Sequence, residues 1–414
     1  PRHLHLPLPL LHLPLPLLRP FPSPFSPPPT WRSSYAPPPP QRAATPRLTL
    51  AAGVFQGRRL RRLLRRHHAL QLRRRRHRRA GYERRDAADG DNGHQHTAQA
   101  AAESLSLSMA QDESIIAMGE DLGRGGVFGQ YQGLREKFGP ERVIDTPISE
   151  AGIAGTAVGM ALAGLRPVVE MRVIDFALCA IDEIVNQAAK NRYMFGGQGR
   201  VPVMFRMPIG LWSGSAAQHS QSLESWFTHI PGLTVIAPAT AQDNFALFQS
   251  ALKLSDPVLY LEHKELWSMQ EEVDTQKKVA IGKANCLRQG SHLTIVTWSS
   301  AVHRCLKACQ NVAMHGVEVE LIDLRSLWPW DKDMVYASAS RTGKLLVVHD
   351  AVQVSGFGAE IAASTAQVTG CQIHRLGAPR IPVGYSPTLE DQTRITVEAI
   401  EKVILQLKGQ KRDK

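Results

Sequence analysis

The sequence predicts an α/β protein built from two successive domains. Three observations carry that expectation. Between about residue 93 and residue 408, short apolar runs alternate with stretches of helical character. The runs are apolar throughout, as strands are in a parallel sheet covered on both faces. The alternation also occurs twice, on either side of a polar stretch from Met269 to Lys278. The expected divisions are a first domain over 93–268, a linker over 269–283 and a smaller second domain over 284–408.

Taken in order, Thr97 to Met109 reads as an Ala/Leu helix and Ser114 to Met118 as a buried strand, with Gly119-Glu120-Asp121 at its carboxyl end. The glycine-rich run Gly123 to Gly129 resembles a dinucleotide fingerprint only loosely. It lacks the strand–loop–helix setting, so it is expected to be a flexible loop. Val143-Ile144 is a short strand that Pro147 must end, because proline lacks a backbone donor and biases its predecessor toward extended geometry. Ser149 is placed to cap a helix starting near Glu150. Gly152, Gly155 and Gly159 leave one face of that helix bare, so another backbone or a flat ligand can approach. Pro167 to Met171 is a strand. Asp175 to Tyr193 is expected to be one helix, with Phe176, Ile181, Ile184, Val185 and Ala188 inward, broken at Gly196-Gly197. The strand Val201 to Arg206 leads into a long loop, Pro208 to Ser222. Leu233 to Ile236 and Pro257 to Leu261 close the first sheet. The second alternation has strands at Leu293–Thr297, Val317–Ile322 and Leu345–Val348. Gly356-Phe357-Gly358 lacks the third glycine of a nucleotide fingerprint and reads as close packing.

The chain of 414 residues carries a formal charge of +12, unevenly spread. Residues 1–91 contain 19 Arg, no Lys and 4 acids, a net +15, so the remaining 323 residues net −3. Residues 1–92 are expected to be a disordered tail, because dense proline prevents regular structure and dense like charge opposes compaction. Three readings of the tail stand: an organellar transit peptide, since no acid precedes Glu83; a nucleic-acid-binding arm, though without interleaved aromatics to stack on bases; or translated upstream sequence, since the chain begins without Met and its first Met is Met109. Cys179, Cys286, Cys305, Cys309 and Cys371 show no metal-ligand spacing and read as buried reduced thiols. No apolar run is long enough to span a bilayer, and no Gly-x-Ser-x-Gly elbow supports a hydrolase.

The run Asp145 to Gly155 places the carboxylate of Glu150 at a strand-to-helix turn, where open α/β sheets bind ligands. The residues alone leave two readings. Glu150 either completes the helix's first turn, where negative charge is favoured, or serves a ligand.

Four segments carry a family resemblance: Arg142-Val143-Ile144-Asp145-Thr146-Pro147-Ile148-Ser149-Glu150, Ala163-Gly164-Leu165-Arg166-Pro167, Ala216-Ala217-Gln218-His219-Ser220 and Asp323-Leu324-Arg325. Together they resemble the beta subunit of the thiamine-diphosphate-dependent first component of 2-oxo acid dehydrogenase complexes, in the transketolase-like group. The resemblance runs from about residue 95 to 408. Asn186 to Lys190 and Tyr193 to Gly197 look more like the acetoin-dehydrogenase branch than the animal pyruvate branch.

The resemblance implies a transketolase-like pyrimidine-binding domain with a parallel sheet, followed by a smaller transketolase C-terminal α/β domain. It implies oxidative decarboxylation of pyruvate with acyl transfer to lipoyl, the alternatives being acetoin or a branched-chain 2-oxo acid. Glu150 matches the carboxylate that hydrogen-bonds the cofactor's aminopyrimidine and promotes the tautomer that removes the thiazolium proton. Phe176 matches an aromatic that packs on the pyrimidine, His219 a proton-handling histidine at the mouth of the site, and Glu120 an acid near a channel linking paired sites. Val203, Ala251, Leu252, Leu254 and Asp256 match a potassium site made largely of backbone carbonyls, with Leu254 replacing an acid of some relatives. The Gly-Asp-Gly motif for diphosphate and Mg2+ is missing: Asp89-Gly90-Asp91 has no preceding glycine and lies in the tail. An alpha subunit is therefore implied, sharing thiamine diphosphate and holding Mg2+ in an α2β2 heterotetramer. The second domain would form the beta–beta contact and dock a lipoyl-bearing acyltransferase. The implied location is the bacterial cytoplasm, or the mitochondrial matrix if the tail is a transit peptide.

Overall fold

The structure, a computed structural model, describes residues 94–409. The expectations for residues 1–92 lie outside the described residues. Strand β1 (His94–His96) pairs antiparallel with β8 (Gln270–Glu272), and Thr97 N–H donates to the Met269 carbonyl at 3.0 Å. The stretch expected as a plain linker thus returns to the first described residues and forms a small ladder with them.

The larger sheet contains β2 (Ile115–Gly119), β3 (Val143–Asp145), β4 (Arg166–Glu170), β5 (Met204–Ile209), β6 (Thr234–Ile236) and β7 (Val258–His263), all parallel to their neighbours. Its seventh strand, β12 (Ser326–Trp328), comes from the second half of the chain and pairs antiparallel with β6, giving the order β12-β6-β7-β5-β4-β2-β3. Every residue of β2, β5 and β7 is buried, the reason these runs are mostly apolar and their charged members, Arg206 and Glu262, pair with one another. Ile115, Ala117, Val168, Met204 and Tyr260 pack with the helices Thr97–Gln111 and Ala241–Leu252. On the other face Val169, Phe205, Met207, Leu259 and Leu261 pack with Glu150–Leu162 and the segment after β4. Burying each such side chain is worth about 1.5–3 kcal/mol.

Two local expectations are corrected. Ser149 occupies the cap position of the helix Glu150–Leu162, but its side chain makes no capping hydrogen bond. The single helix expected over 175–193 is three pieces: a 3-10 turn Ile174–Ala180, a π turn Glu183–Ala188 and a short α-helix Asn191–Met194. The tight pitch keeps Ala177 and Ala180 against the sheet, and the wide π turn then keeps Ile184 and Ala188 there. That change of pitch turns Ile181, expected inside, out to 37 % exposure.

The glycine-rich loop is fixed by packing rather than flexible. Phe128 lies between Trp212 and Trp267, with ring centroids 4.9 and 4.0 Å away, and Gly123 N–H donates to Asp145 Oδ1 at 2.6 Å.

The second sheet contains β9 (Asn285–Arg288), β10 (Leu293–Thr297), β11 (Val319–Asp323), β13 (Lys344–Val352) and β14 (Gln372–Ala378), in the order β14-β13-β10-β11-β9. Only the edge strand β9 is antiparallel. Close packing at Gly356 and Gly358 is as expected: a Cβ there would stand 2.6 and 2.7 Å from the His349 ring. All five cysteines are free; Cys305 and Cys309 are buried, whereas Cys179, expected inside, is exposed at the end of its 3-10 turn.

Candidate active site

Strand order decides which loops meet. β7, β5, β4, β2 and β3 are neighbours, so the segments leaving their carboxyl ends sit side by side. Those segments carry Lys264, His219, Phe176, Glu120 and Glu150. The ends of β2 and β4 approach so closely that a Cβ on Gly119 would lie 2.8 Å from that of Glu170, which is why a glycine precedes Glu120.

Glu150 opens its helix half-buried, and its carboxylate has no hydrogen-bond or ion-pair partner among the described residues. Glu120 is half-buried 3.8 Å from Arg172. Burial holds its carboxyl above the usual range, opposed by Arg172 and reinforced by the charges of Glu150 and Asp121. The two carboxylates therefore sense one another, as groups sharing a site do.

Phe176 and His219 are brought together from segments far apart in sequence. Their rings meet edge-to-face, with centroids 5.2 Å apart and planes at 80°. Phe176 is half-buried and His219 exposed. The neighbours of this pair are also joined: Gln221 Nε2 donates to Asp175 Oδ1 at 2.7 Å, and Lys264 Nζ donates to the backbone carbonyl of His219. Lys264 is 4 % exposed. Burial pulls its ammonium down to about 8, opposed by the charges of Asp175, Glu265 and Glu390. Sequence reasoning missed Asp175, Gln221, Lys264 and Glu390. The one available signal was a charged run, Glu262-His263-Lys264, directly after the apolar stretch Val258 to Leu261.

The five residues matched to a potassium site lie apart from this cluster, at the amino end of β5 and the end of the helix Ala241–Leu252. Their carbonyls already have donors. Arg166 Nη1 donates to the Leu252 and Leu254 carbonyls at 2.9 Å each, Val258 N–H to Val203 at 2.9 Å and Leu254 N–H to Ala251 at 3.1 Å. Asp256 pairs with Arg192.

An unpaired carboxylate and a half-buried aromatic ring on neighbouring segments of the rim suit a flat, basic heterocycle. The chain matches the transketolase pyrimidine-binding domain over residues 94–269 and the transketolase C-terminal domain over 282–400, so its class is that of two-domain transketolase-like proteins. A solved split-gene transketolase, described as an inactive beta4 tetramer, shares this fold with a TM-score of 0.66 at 20 % identity, covering 77 % of this chain and 100 % of that one. The beta subunit of an acetoin:2,6-dichlorophenolindophenol oxidoreductase from Cupriavidus necator is 41 % identical over 70 % of this chain and 90 % of its own length. The mitochondrial pyruvate dehydrogenase E1 component subunit beta-1 of Arabidopsis thaliana is 40 % identical over 72 % of this chain and 84 % of its own. The chain belongs to the family of beta subunits of pyruvate and acetoin dehydrogenases, oxidoreductases that depend on thiamine diphosphate.

Proposed function

We propose that this chain supplies the pyrimidine half of a thiamine diphosphate site in an α2β2 2-oxo acid dehydrogenase acting on pyruvate. The observation that carries this reading is the unpartnered Glu150 carboxylate at the carboxyl rim of the sheet, with the Phe176–His219 ring pair on a neighbouring segment. When bound, the cofactor supplies an electron sink for decarboxylation. Glu150 would hold the aminopyrimidine by a charge-assisted hydrogen bond, its carboxylate having no competing partner among the described residues. Phe176 packs against the pyrimidine. His219 holds and releases a proton at an imidazole nitrogen as the acyl group passes to a lipoyl group. Glu120 stands beside Glu150, its carboxyl held above the usual range by burial against the opposing charge of Arg172.

The alpha subunit holds the diphosphate and Mg2+. Potassium, if bound, would be held by the carbonyls of Val203, Ala251, Leu252 and Leu254 with Asp256, in competition with the Arg166 guanidinium that already donates to two of them. The domains divide as 93–268 and 284–408, and the second docks the lipoyl-bearing acyltransferase. The location is the bacterial cytoplasm or the mitochondrial matrix. The second reading, an acetoin dehydrogenase beta subunit, is favoured by the segment Tyr193 to Gly197 and by the name of the Cupriavidus relative.

Calorimetry tests the shared site. Beta chain alone should bind thiamine diphosphate weakly or not at all, and mixing with the alpha subunit should create binding. Tight binding by the beta chain alone would instead make this a self-sufficient enzyme and overturn the shared-site reading.

A further inference from the structure

The loop that carries His219 is exposed at its tip and held at its base. Gly210 N–H donates to the Gln221 carbonyl at 3.0 Å, closing the base. Within the loop Ala216 has φ of 58°, a left-handed conformation that a Cβ disfavours. Such a turn keeps its shape only if its surroundings impose it. Two buried charges do so. Lys264, at the end of β7, donates to the carbonyl of His219 itself. Glu390, in the turn Pro387–Glu390 of the second domain, accepts from Gly214 N–H through Oε2 at 2.7 Å. Both residues are 4 % exposed.

The two holds belong to one network. Arg394 lies 2.6 Å from Glu265 and 3.8 Å from Glu390, and the charges of Asp175, Glu265 and Glu390 all act on Lys264. Asp175 in turn adjoins Phe176, whose ring meets His219. A buried ammonium is costly unless anions and acceptors surround it, and here they do. Gripping the backbone of His219 fixes the point from which the imidazole projects.

We propose that Lys264 and Glu390 form a latch that positions the imidazole of His219 for acyl transfer, Lys264 acting as a positioning residue through the His219 carbonyl. This rests on the functional reading of His219 given above. It also makes the second domain part of the site's architecture, since Glu390 comes from there.

The test uses the assembled enzyme with its alpha subunit and compares Lys264→Met, His219→Ala and the double variant. Lys264→Met should raise amide hydrogen exchange over residues 210–222 by about tenfold or more. It should also lower lipoyl-dependent turnover by about tenfold, with a smaller loss when an artificial electron acceptor replaces lipoyl. The double variant should lose no more lipoyl-dependent turnover than His219→Ala alone, because two residues acting through one group are non-additive. Glu390→Gln keeps an acceptor for Gly214 but removes a charge. It should raise exchange by about threefold, and it reads the same loop if Lys264→Met fails to assemble. Unchanged exchange over 210–222, or fully multiplicative losses in the double variant, would overturn the latch and leave the role of His219 standing. Undiminished lipoyl-dependent turnover in His219→Ala would overturn that role, and the latch with it.

Discussion

Charged side chains in the middle of the larger sheet and the carboxylate of Glu150 at its carboxyl rim are treated in opposite ways. In the middle, Arg206 is fully buried, pairs with Glu262 through two nitrogens, and lies over the rings of Tyr131 and Phe248 at 5.0 and 5.5 Å. Asn244 adds a donor to Glu262 at 2.9 Å, while Tyr131 and Gln130 donate to Glu170 at 2.8 and 3.0 Å. At the rim, Glu150 has no partner among the described residues and His219 is exposed. Burial explains the first arrangement, because an ion taken out of water must be paired and hydrogen-bonded. Partial exposure permits the second, and leaves a carboxylate with its charge available to a ligand. Pairing marks the charges that hold the sheet together; lack of a partner marks the one assigned to chemistry.

Four measurements would break or sharpen that contrast. The largest effect is expected in the interior. Arg206→Met leaves Glu262 buried without its cation and should cost about 3–5 kcal/mol in denaturant unfolding. At the rim, Glu150→Gln should leave stability within about 0.5 kcal/mol yet lower turnover of the assembled enzyme by about 10²-fold or more. Glu120→Gln, as a control, should cost less. Near-normal turnover of Glu150→Gln would return that carboxylate to the ordinary role of completing a helix's first turn.

A smaller effect concerns pH. Burial raises the Glu224 carboxyl from 4.5 to about 7 and lowers the His263 and His349 imidazoles from 6.5 to about 4. An acid raised by folding contributes stability that is full below its unfolded value and is lost as pH rises through about 7. A lowered histidine acts oppositely, its penalty disappearing as pH rises from about 4 to 6.5. The two trends oppose one another between pH 5 and 6.5. Glu224→Gln removes the falling one, so the variant should gain stability from pH 5 to 7 relative to the parent, by about 2 kcal/mol. An unaltered difference between the two proteins across that range would show that Glu224 titrates normally. The smallest expected effect is exchange of potassium for sodium, which should shift unfolding by less than about 0.5 kcal/mol. Arg166 already places positive charge on two of the carbonyls concerned.

By itself the sequence determined what nearest neighbours and periodicity can decide. Pro147 ends β3, Glu150 starts a helix, and the largely apolar runs at β2, β4 and β7 lie in a parallel sheet. The quoted segments were enough to place the chain in its family. Only the tertiary structure decided that the ring of Phe176 meets His219 and that Lys264 grips the carbonyl of that histidine. It also decided that the strand after Asp323-Leu324-Arg325 crosses to the first sheet, where Arg325 pairs with Asp243 at 2.8 Å. The broken helix after β4 belongs to the same group, because its changes of pitch follow the surface it packs on. Local sterics act over a few residues, whereas these contacts depend on strand order and on which loops it brings together, and no short-range pattern in the chain encodes that.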